Sequence, residues 1–504
     1  MRKFSPTLLT AFLLGALAVL GFAPFYIFPA SIISVAGICY FWQQAASPRA
    51  AWMLGLSYGL GLYIIGIYWI YISLHDFGSM PWWFAGFCTF CLCAFMALFL
   101  GLVGYFAKRF GFLLLSIPVL WGLSDWVRSW IFTGFPWLTM GYSQVPHSPL
   151  TGFMPIVGVY GVSVIAVFLA ALIAAWFAQP QSVIFKRNTI ATFTLILVAG
   201  GILKVVEWTS PIGKPISVAL VQGNIAQGIK WSPEAAQGTI ESYLQQAQLS
   251  KAQLIVLPET ALPVIASQLD NNVKSALAAH AIENHGDIIV GMVEYNEETQ
   301  TYFNSALSFG SAPTQTYRKN HLVPFGEFIP LKKVFGWIYR DWLNIPLSDL
   351  SRGGQQQATM DFTTGRLAAQ PDLKLKVAMN ICYEDVFGEE IIRGAADSTL
   401  LVNISNDAWY GQSFAAHQHM QFSQARALET GRYMLRATNT GATAAIDQHG
   451  YVFAHAPHDT KTTLNVSAQG YTGNTPYMRW GSWPFIMFCL GAIAFVLRRK
   501  PSKI

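Results

Sequence analysis

The sequence predicts an α-helical membrane bundle of eight spans joined to an α/β layered domain. Hydrophobic residues make up 53% of the 504-residue chain and charged residues only 12%, which is about half the charged fraction of an average soluble domain. The apolar residues are concentrated in runs long enough to cross a bilayer, which takes about 20 helical residues. After residue 206 the pattern changes to short β-rich runs between helical stretches. These observations separate a membrane part from a layered part.

The apolar runs that could span a bilayer lie on both sides of the layered part. The first two are short, and a proline-containing turn, GFAPFY, separates them. The eight runs lie near residues 6–22, 25–43, 51–73, 82–106, 112–132, 154–178, 189–206 and 482–497. The sequence therefore predicts a transmembrane domain at 1–206, a layered domain at 207–480 and a C-terminal transmembrane helix with a tail at 481–504.

Basic residues next to the apolar runs predict how the chain crosses the membrane. With eight crossings they all fall on one side, and the opposite short loops at 23–24, 74–81 and 133–153 contain no lysine or arginine. Short loops rich in lysine and arginine stay in the cytoplasm. Both termini are therefore predicted to be cytoplasmic, with 207–480 in the periplasm of a Gram-negative cell, at its inner membrane. The flanking basic residues are Arg2, Lys3, Arg49, Lys108, Arg109, Lys186, Arg187, Arg498, Arg499 and Lys500.

The first 23 residues also resemble a secretory signal peptide, with a basic start followed by an apolar core. Pro24 would directly follow the cleavage site, which disfavours cleavage. Loss of this segment would also invert the charge pattern of the remaining spans. The sequence therefore favours a retained first span.

Asp125 and Arg128 are three residues apart in the fifth predicted span, which places them on one face of a helix. Ionisable residues inside a membrane are a hypothesis of function by default. The alternative is a mutually satisfied pair near the outer end of the helix. The sequence favours this alternative.

The layered part contains candidate strands that are nearly continuous in apolar residues, separated by helical segments. Strands of this kind are typical of a sheet that is covered by helices. The candidate strands are 215–225, 252–260, 287–295, 301–310, 314–324, 375–385, 399–409 and 434–447, and the candidate helices are 266–284 and 415–433.

Three polar residues stand at the ends of candidate strands, namely Glu259, Lys319 and Cys382. Functional sites of α/β sheets gather at strand ends, so residues distant in sequence can meet there. A nearby cation lowers the pKa of a thiol, and a carboxylate can take its proton as a general base. An ammonium group, beside a backbone N–H, can stabilise an oxyanion. Together they suggest a nucleophilic cysteine, a glutamate base and a stabilising lysine, although each residue type alone is commonly structural.

The motifs around these residues resemble those of the nitrilase superfamily, whose triad is Glu, Lys and Cys. The motifs are LPET around Glu259, YRKNHLVPFGEFIP around Lys319 and NICYEDVF around Cys382. With several spans before this domain and one after it, nearly the whole chain resembles the apolipoprotein N-acyltransferase family. The runs QGNIAQGIKW (222–231) and NISNDAWYG (403–411) support the resemblance. It implies a nitrilase-like αββα sandwich for the layered domain.

The resemblance also implies a two-step reaction in which Cys382 carries an acyl group. The cysteine would take the acyl chain from a phospholipid as a thioester. The α-amino group of a diacylglyceryl-cysteine at the N-terminus of an apolipoprotein would then accept it as an amide. Further positions that match sensitive motifs of the family are Trp231, Glu327, Tyr383 and Glu384. Of these, Glu327 and Glu384 would orient the lysine and the thiol.

The segment 327–346 combines aromatic and basic residues, which suits a membrane interface. We expect a lid that dips into the outer leaflet and admits lipids; the alternative is a loop packed on the core of its own domain. The lid residues would be Phe335, Trp337, Tyr339 and Trp342, with Ile338 among them and Lys332, Lys333 and Arg340 nearby; Trp409, Tyr410 and Phe414 would form a second arm.

No metal, cofactor or nucleic acid is predicted. Five of the six cysteines lie in apolar stretches, and the net charge of +6 is modest and scattered. His417 and His419 are two residues apart, which on a helix points them to different faces. Two other functions remain open at this point. One is a membrane-anchored hydrolase of the same fold, and the other is a transporter or scaffold with a degenerate domain.

Overall fold

The computed structural model describes residues 6–178, 182–228, 230–330, 349–363 and 374–498. The chain divides into two compact units. The first unit comprises Met1–Tyr71, Trp82–Val206 and Arg479–Ile504, and the second comprises Ile72–Pro81 and Glu207–Met478.

The helices of the described residues are numbered here in chain order. They are α1 (Pro6–Ala18), α2 (Phe28–Gln44), α3 (Pro48–Gly66), α4 (Trp69–Ile72), α5 (Trp82–Phe110), α6 (Leu113–Arg128), α7 (Met154–Ala178), α8 (Val183–Lys204), α9 (Pro233–Leu249), α10 (Asn271–Glu283), α11 (Gly388–Ala395), α12 (Ala415–Thr430), α13 (Pro476–Trp480) and α14 (Trp483–Arg498).

The first unit is helical, and helices lie at each of the eight apolar runs. Among the described residues, three helical segments are long and apolar enough to cross a membrane: Trp82–Phe110, Pro149–Ala178 and Val183–Lys204. A fourth span arises if Pro48–Gly66 and Trp69–Phe77, which are bent by 51°, are counted together. The segments Pro6–Gly21 and Trp483–Arg498 are shorter apolar helices. The count of eight spans therefore stays a prediction.

Local sequence explains where several of these helices begin and end. The Ser47 hydroxyl accepts a hydrogen bond from Ala50 N at 3.2 Å, and Pro48 occupies the first turn, as is typical of helix N-termini. Ser182 caps α8 in the same way, accepting from Phe185 N at 3.2 Å. The predicted span 51–73 is not one continuous helix. The chain bends after Gly66, and the segment beyond the bend ends in a π-helical turn, Ser73–Phe77.

The Asp125–Arg128 pair forms a buried ion pair on α6. Asp125 Oδ2 also accepts a hydrogen bond from Met140 N at 3.2 Å, and Arg128 Nη1 donates to the Trp137 carbonyl at 2.9 Å. The pair thus ties α6 to the segment that follows it. This arrangement corresponds to the mutually satisfied pair that the sequence favours.

The second unit is built on two six-stranded sheets. Their strands are β1 (Ser210–Gln222), β2 (Leu254–Val256), β3 (Asp287–Asn296), β4 (Thr301–Gly310), β5 (Thr316–Arg318), β6 (Met360–Asp361), β7 (Lys376–Ile381), β8 (Leu400–Ser405), β9 (Met434–Thr438), β10 (Ala444–Ile446), β11 (Val452–His455) and β12 (Thr462–Thr472). The strand orders are β12-β1-β2-β3-β4-β5 and β11-β10-β9-β8-β7-β6. In each sheet three central strands are parallel, β1 to β3 and β7 to β9, and the remaining pairs are antiparallel.

Helices cover the outer face of each sheet, so the layers run helix, sheet, sheet, helix. Helices α9 and α10 pack on the first sheet through Tyr243, Ala247, Leu277 and Ala281, against residues such as Val221, Ile255, Ile288 and Val290. Helices α11 and α12 pack on the second sheet through Ile391, Ala395, Met420 and Ala427, against residues such as Leu401, Met434 and Ala444. The two sheets pack on each other, with strands β1 and β9 in contact. The predicted αββα layering is confirmed.

Several predicted elements differ in length from those observed. The segment 434–447 is a hairpin rather than one strand, because the chain reverses at Gly441, whose φ is +91°. The predicted strands 375–385 and 399–409 end early, at Ile381 and Ser405, and each is followed by a 3-10 turn. Sequence patterns missed α9, α11, α13, β6, β11 and β12. Strand β12 is amphipathic and pairs along the edge of its sheet with β1, so it lacks the continuous apolar pattern of the central strands.

Candidate active site

Glu259 lies just beyond the central strand β2 of the first sheet. The backbone continues the parallel pairing for one more residue, because Leu257 N donates to the Ile289 carbonyl at 2.8 Å. The chain then turns sharply, and Thr260 adopts a positive φ of +44°. Glu259 is only 6% exposed, so its carboxylate lies in the interior at the end of the strand.

Lys319 follows β5, which lies at the edge of the same sheet. Its Nζ donates to Glu259 Oε1 at 3.2 Å and to Glu327 Oε1 at 2.8 Å, and the side chain is 1% exposed. Burial lowers the pKa of Lys319, but the charges of Glu259 and Glu327 outweigh burial and leave it well above its ordinary value. The lysine is therefore a buried ammonium group that bridges two carboxylates.

Cys382 follows β7 of the second sheet and begins a 3-10 turn. Its φ is +54°, a conformation that costs a residue other than glycine about 1–3 kcal/mol and persists only where the surroundings enforce it. The Cys382 carbonyl lies 3.1 Å from Asn403 Nδ2, which donates to it, and 3.1 Å from His419 Nε2. These two side chains fix the turn that presents the sulfur.

The thiol of Cys382 lies within the electrostatic field of the other two candidate residues. Burial and the negative charge of Glu259 raise the pKa of the Cys382 thiol, while Lys319 and a hydrogen bond from Ser405 act to lower it. The raising effects dominate, so the pKa of the thiol lies above its ordinary value. The structure therefore brings together one thiol, one ammonium group and one carboxylate from the ends of strands in two different sheets.

Glu384 connects the chain segments that carry the candidate lysine and cysteine. Its Oε1 accepts from the backbone N–H groups of Asn320 at 2.7 Å and His321 at 3.1 Å. Its Oε2 accepts from Ile381 N at 2.7 Å and from the Tyr317 hydroxyl at 2.9 Å. Burial raises the pKa of Glu384 to about 7, although the backbone donors act to lower it. This buried carboxyl fixes one strand end of the first sheet against one of the second.

The other supporting residues that the sequence suggests lie around this centre. Glu327 contacts Lys319 directly and also accepts from Val323 N at 2.8 Å. Tyr383 is buried, and its ring contacts those of His321 at 5.7 Å and Phe387 at 5.1 Å between centroids.

Trp231 is half-buried and directly follows the buried Lys230. The Nζ of Lys230 donates to the Glu259 carbonyl at 3.3 Å and to Thr260 Oγ1 at 2.6 Å. Lys230 is a contact that sequence reasoning missed. A lysine in QGNIAQGIKW gives no sign of burial, because isolated lysines are mostly exposed.

A second cluster of charges lies next to the 3-10 turn Cys382–Val386. His419 Nε2 is 2.9 Å from Asp385 Oδ1, and its Nδ1 is 2.9 Å from Asp407 Oδ1. Arg436 contacts the same two carboxylates at 3.0 and 3.2 Å. Burial and Arg436 lower the pKa of His419, but the two carboxylates outweigh them and raise it to about 9. This cluster contacts the turn that contains Cys382, because His419 Nε2 lies 3.1 Å from the Cys382 carbonyl. Its charged residues are isolated in the sequence, so no local pattern predicts the cluster.

Of the two predicted membrane-contacting arms, only the second lies within the residues that the structure describes. Phe335, Trp337, Tyr339 and Trp342 lie outside the residues that the structure describes. In the second arm, Trp409, Tyr410 and Phe414 are half-buried. The Trp409 ring lies 6.3 Å from that of Phe77, which belongs to the same unit. Both arms stay predictions.

Buried Lys230 leads to a prediction about stability and pH. Burial lowers the pKa of Lys230 from 10.5 to about 8, with Glu259 partly opposing the shift. The unfolded chain therefore binds more protons than the folded chain between those pH values, and stability should rise with pH across that window by about 3 kcal/mol. Replacing Lys230 with methionine should remove this rise. The measurement is the difference in melting temperature between wild type and variant in detergent, from pH 7.5 to pH 10.5.

The control for this experiment is Lys251→Met, because Lys251 is exposed in the same domain. It should leave the pH dependence of the wild type unchanged. A Lys230→Met variant whose melting temperature follows the wild-type pH curve would show that burial does not lower the pKa of Lys230.

Two family models together match most of the chain. Residues 14–172 match the family model of the apolipoprotein N-acyltransferase N-terminal domain, and residues 217–477 match that of the carbon-nitrogen hydrolases. The second unit therefore has the nitrilase-like fold that the sequence resemblance implies.

Full-length relatives give the same result. The apolipoprotein N-acyltransferase of Nitrosomonas europaea is 46% identical over 480 residues, which cover 94% of each chain. That of Chromobacterium violaceum is 41% identical over 489 residues, covering 96% of this chain and 92% of the relative. That of Vibrio cholerae is 33% identical over 513 residues, covering 98% of this chain and 97% of the relative. The chain therefore belongs to the apolipoprotein N-acyltransferase family, as its sequence motifs predict.

Proposed function

We propose that this enzyme transfers a fatty acyl group from a phospholipid to the α-amino group of the N-terminal diacylglyceryl-cysteine of apolipoproteins. The relatives named above are apolipoprotein N-acyltransferases. The observation that carries the proposal is the convergence of a buried ammonium, a buried carboxylate and a buried thiol at strand ends. This set can form and resolve a thioester without a metal or a cofactor.

In the first step Glu259 accepts the proton of the Cys382 thiol while the sulfur attacks the carbonyl carbon of a phospholipid ester. The oxyanion that forms is stabilised by the ammonium of Lys319 and by the backbone N–H of Tyr383. The C–O bond to glycerol then breaks. The leaving oxygen takes the proton from Glu259, and a lysophospholipid departs from the thioester.

In the second step the neutral α-amino group of the acceptor attacks the thioester carbon. The nitrogen gives one proton to Glu259, the C–S bond breaks, and Glu259 returns the proton to the sulfur. An amide and the free thiol result. Lys319 keeps its charge throughout, because Glu259 and Glu327 hold its pKa well above its ordinary value against the effect of burial. Its role is therefore electrostatic rather than acid–base.

The same proposal assigns the remaining parts of the chain. The transmembrane domain at 1–206 and the C-terminal helix at 481–504 would provide eight spans of the inner membrane, with both termini in the cytoplasm. The catalytic domain at 207–480 would face the periplasm. The lid residues Phe335, Trp337, Tyr339 and Trp342 would contact membrane lipids, and Glu327 and Glu384 would orient the lysine and the nucleophile turn.

Intact-mass analysis of the purified enzyme with phospholipid tests this proposal. An acyl adduct on wild type is expected to be absent in Cys382→Ala and retained in Cys91→Ala, because Cys91 is an exposed cysteine on α5. Adding an apolipoprotein acceptor should discharge the adduct and give an N-acylated product. No adduct under slow-turnover conditions would contradict the mechanism. Release of free fatty acid instead of acylated lipoprotein would indicate the hydrolase.

A further inference from the structure

We infer that Asn304 is a positioning residue that holds the Glu259 carboxylate in the correct orientation for proton transfer. The inference extends the proposed function, since it concerns the base of that reaction. Asn304 lies in the interior of β4 and is 3% exposed. No sequence pattern singles it out, because it is an isolated amide within the strand TYFNSALSFG.

The amide of Asn304 duplicates the contacts of Lys319. Its Nδ2 donates to Glu259 Oε1 at 2.6 Å and to Glu327 Oε1 at 3.1 Å. The Nζ of Lys319 donates to the same two oxygens, at 3.2 and 2.8 Å. Two donors therefore bridge the same pair of carboxylates, and the shorter contact to Glu259 comes from the asparagine.

The backbone explains why this residue reaches the site. Strand β4 pairs antiparallel with β5, and Lys319 N donates to the Asn304 carbonyl at 2.8 Å just beyond the end of that pairing. Asn304 and Lys319 thus lie side by side on neighbouring strands. Directly opposed residues on paired strands have side chains close enough to interact, so the ladder itself places both donors at the same carboxylates.

The charges around Glu259 show why a second, neutral donor matters. The ionisable groups that face it are Lys319, Glu327, Cys382 and, at its backbone, Lys230. At its side chain one ammonium serves two carboxylates, which leaves an excess of negative charge in a buried place. Hydrogen bonds to an ionised carboxylate stabilise that form, and like charges destabilise it. The amide supplies such a hydrogen bond without adding charge.

The orientation of the amide follows from its neighbours. Both groups near the Nδ2 atom are carboxylate oxygens, which only a donor can satisfy. The Oδ1 atom of Asn304 has no hydrogen-bond partner within the part of the chain that the structure describes. A buried acceptor without a partner is costly, so the two donated hydrogen bonds are what fix this side chain in place.

The test is the pH dependence of Cys382 alkylation by iodoacetamide in the full-length enzyme, followed by intact mass. This readout needs no acyl substrate, so it does not depend on the proposed function being correct. Without this donor Glu259 faces the negative charge of Glu327 with less compensation, so in the variant it should take up a proton more readily. A protonated Glu259 cannot accept the proton of the thiol. For Asn304→Ala we expect the acidic limb of the profile to move up by about one pH unit, which lowers the rate about tenfold on that limb.

Two further variants make the result interpretable. Asn304→Asp keeps the shape but adds a third carboxylate, so it should move the limb further in the same direction. Ser308→Ala is the control, because Ser308 is a buried residue of the same strand whose hydroxyl accepts from Gln315 N at 2.9 Å. It should lower stability without moving the limb. An Asn304→Ala profile that coincides with that of Ser308→Ala would overturn the inference and leave Asn304 a structural residue.

Discussion

Replacing Lys319 with methionine is expected to abolish most acyl transfer and to destabilise the enzyme. Methionine fills a similar volume but leaves Glu259 and Glu327 buried without their shared cation. Removing one partner of a buried ion pair typically costs about 3–5 kcal/mol, and removing one stabiliser of an oxyanion lowers kcat by about 10²–10³-fold. The measurements are the rate of acyl adduct formation on Cys382 and the melting temperature in detergent.

A surface lysine provides the matched control. Lys376→Met removes an ion pair with Asp361 that is long, at 3.6 Å, and substantially exposed. Exposed pairs contribute about 1 kcal/mol or less, so activity and melting temperature should stay near those of wild type. If Lys319→Met retained the wild-type rate of adduct formation, Lys319 would not be the stabiliser of the oxyanion.

The double variant Lys319→Met, Glu327→Gln separates the two effects. Neutralising Glu327 removes one of the two carboxylates that the single variant leaves without a cation, and it should recover part of the lost stability. The missing ammonium is not replaced, so acyl transfer should stay low. Recovery of both properties together would mean that the lysine acts only through folding.

Replacing Glu384 with alanine is expected to lower both the free energy of unfolding and the rate of acyl transfer. The change leaves the backbone N–H groups of Asn320, His321 and Ile381 without their carboxylate partner. Each buried donor left unsatisfied costs about 1–3 kcal/mol, so the free energy of unfolding should fall by about 3 kcal/mol or more. A shift of about 1 Å at the reacting groups can lower the rate about 10²-fold, and these segments position both the lysine and the cysteine.

The two consequences of Glu384→Ala are measured by melting temperature and by the rate of Cys382 acylation at a temperature where the variant is folded. The control is Glu241→Ala, because Glu241 lies on the exposed face of α9, where it accepts a hydrogen bond from the neighbouring Gln237 Nε2 at 2.7 Å. That variant should change stability by about 0.5 kcal/mol or less. A folded Glu384→Ala enzyme with a wild-type acylation rate would contradict the positioning role.

Residue patterns along the chain are sufficient to predict the class of the protein and the segments that carry its candidate site. Charge depletion and apolar runs indicated the helical unit, and continuous apolar strands indicated the layered unit, because both signals arise from residues close together in the chain. Local signals also placed Glu259, Lys319 and Cys382 just after strands, which is where the structure has them. Strand lengths were overestimated where a 3-10 turn follows a strand directly, as at Cys382.

Which side chains contact one another depends instead on how the strands and layers pack. Asn304 lies beside Lys319 because β4 and β5 pair in one particular register, and both side chains contact the carboxylate of Glu259. Glu384 joins two sheets because its carboxyl lies between turns that are more than 60 residues apart in sequence. Lys230 is buried beside Glu259 although its sequence context suggests an exposed lysine. Contacts of this kind depend on sheet register and on packing between layers, and a local pattern of residue types carries no information about either.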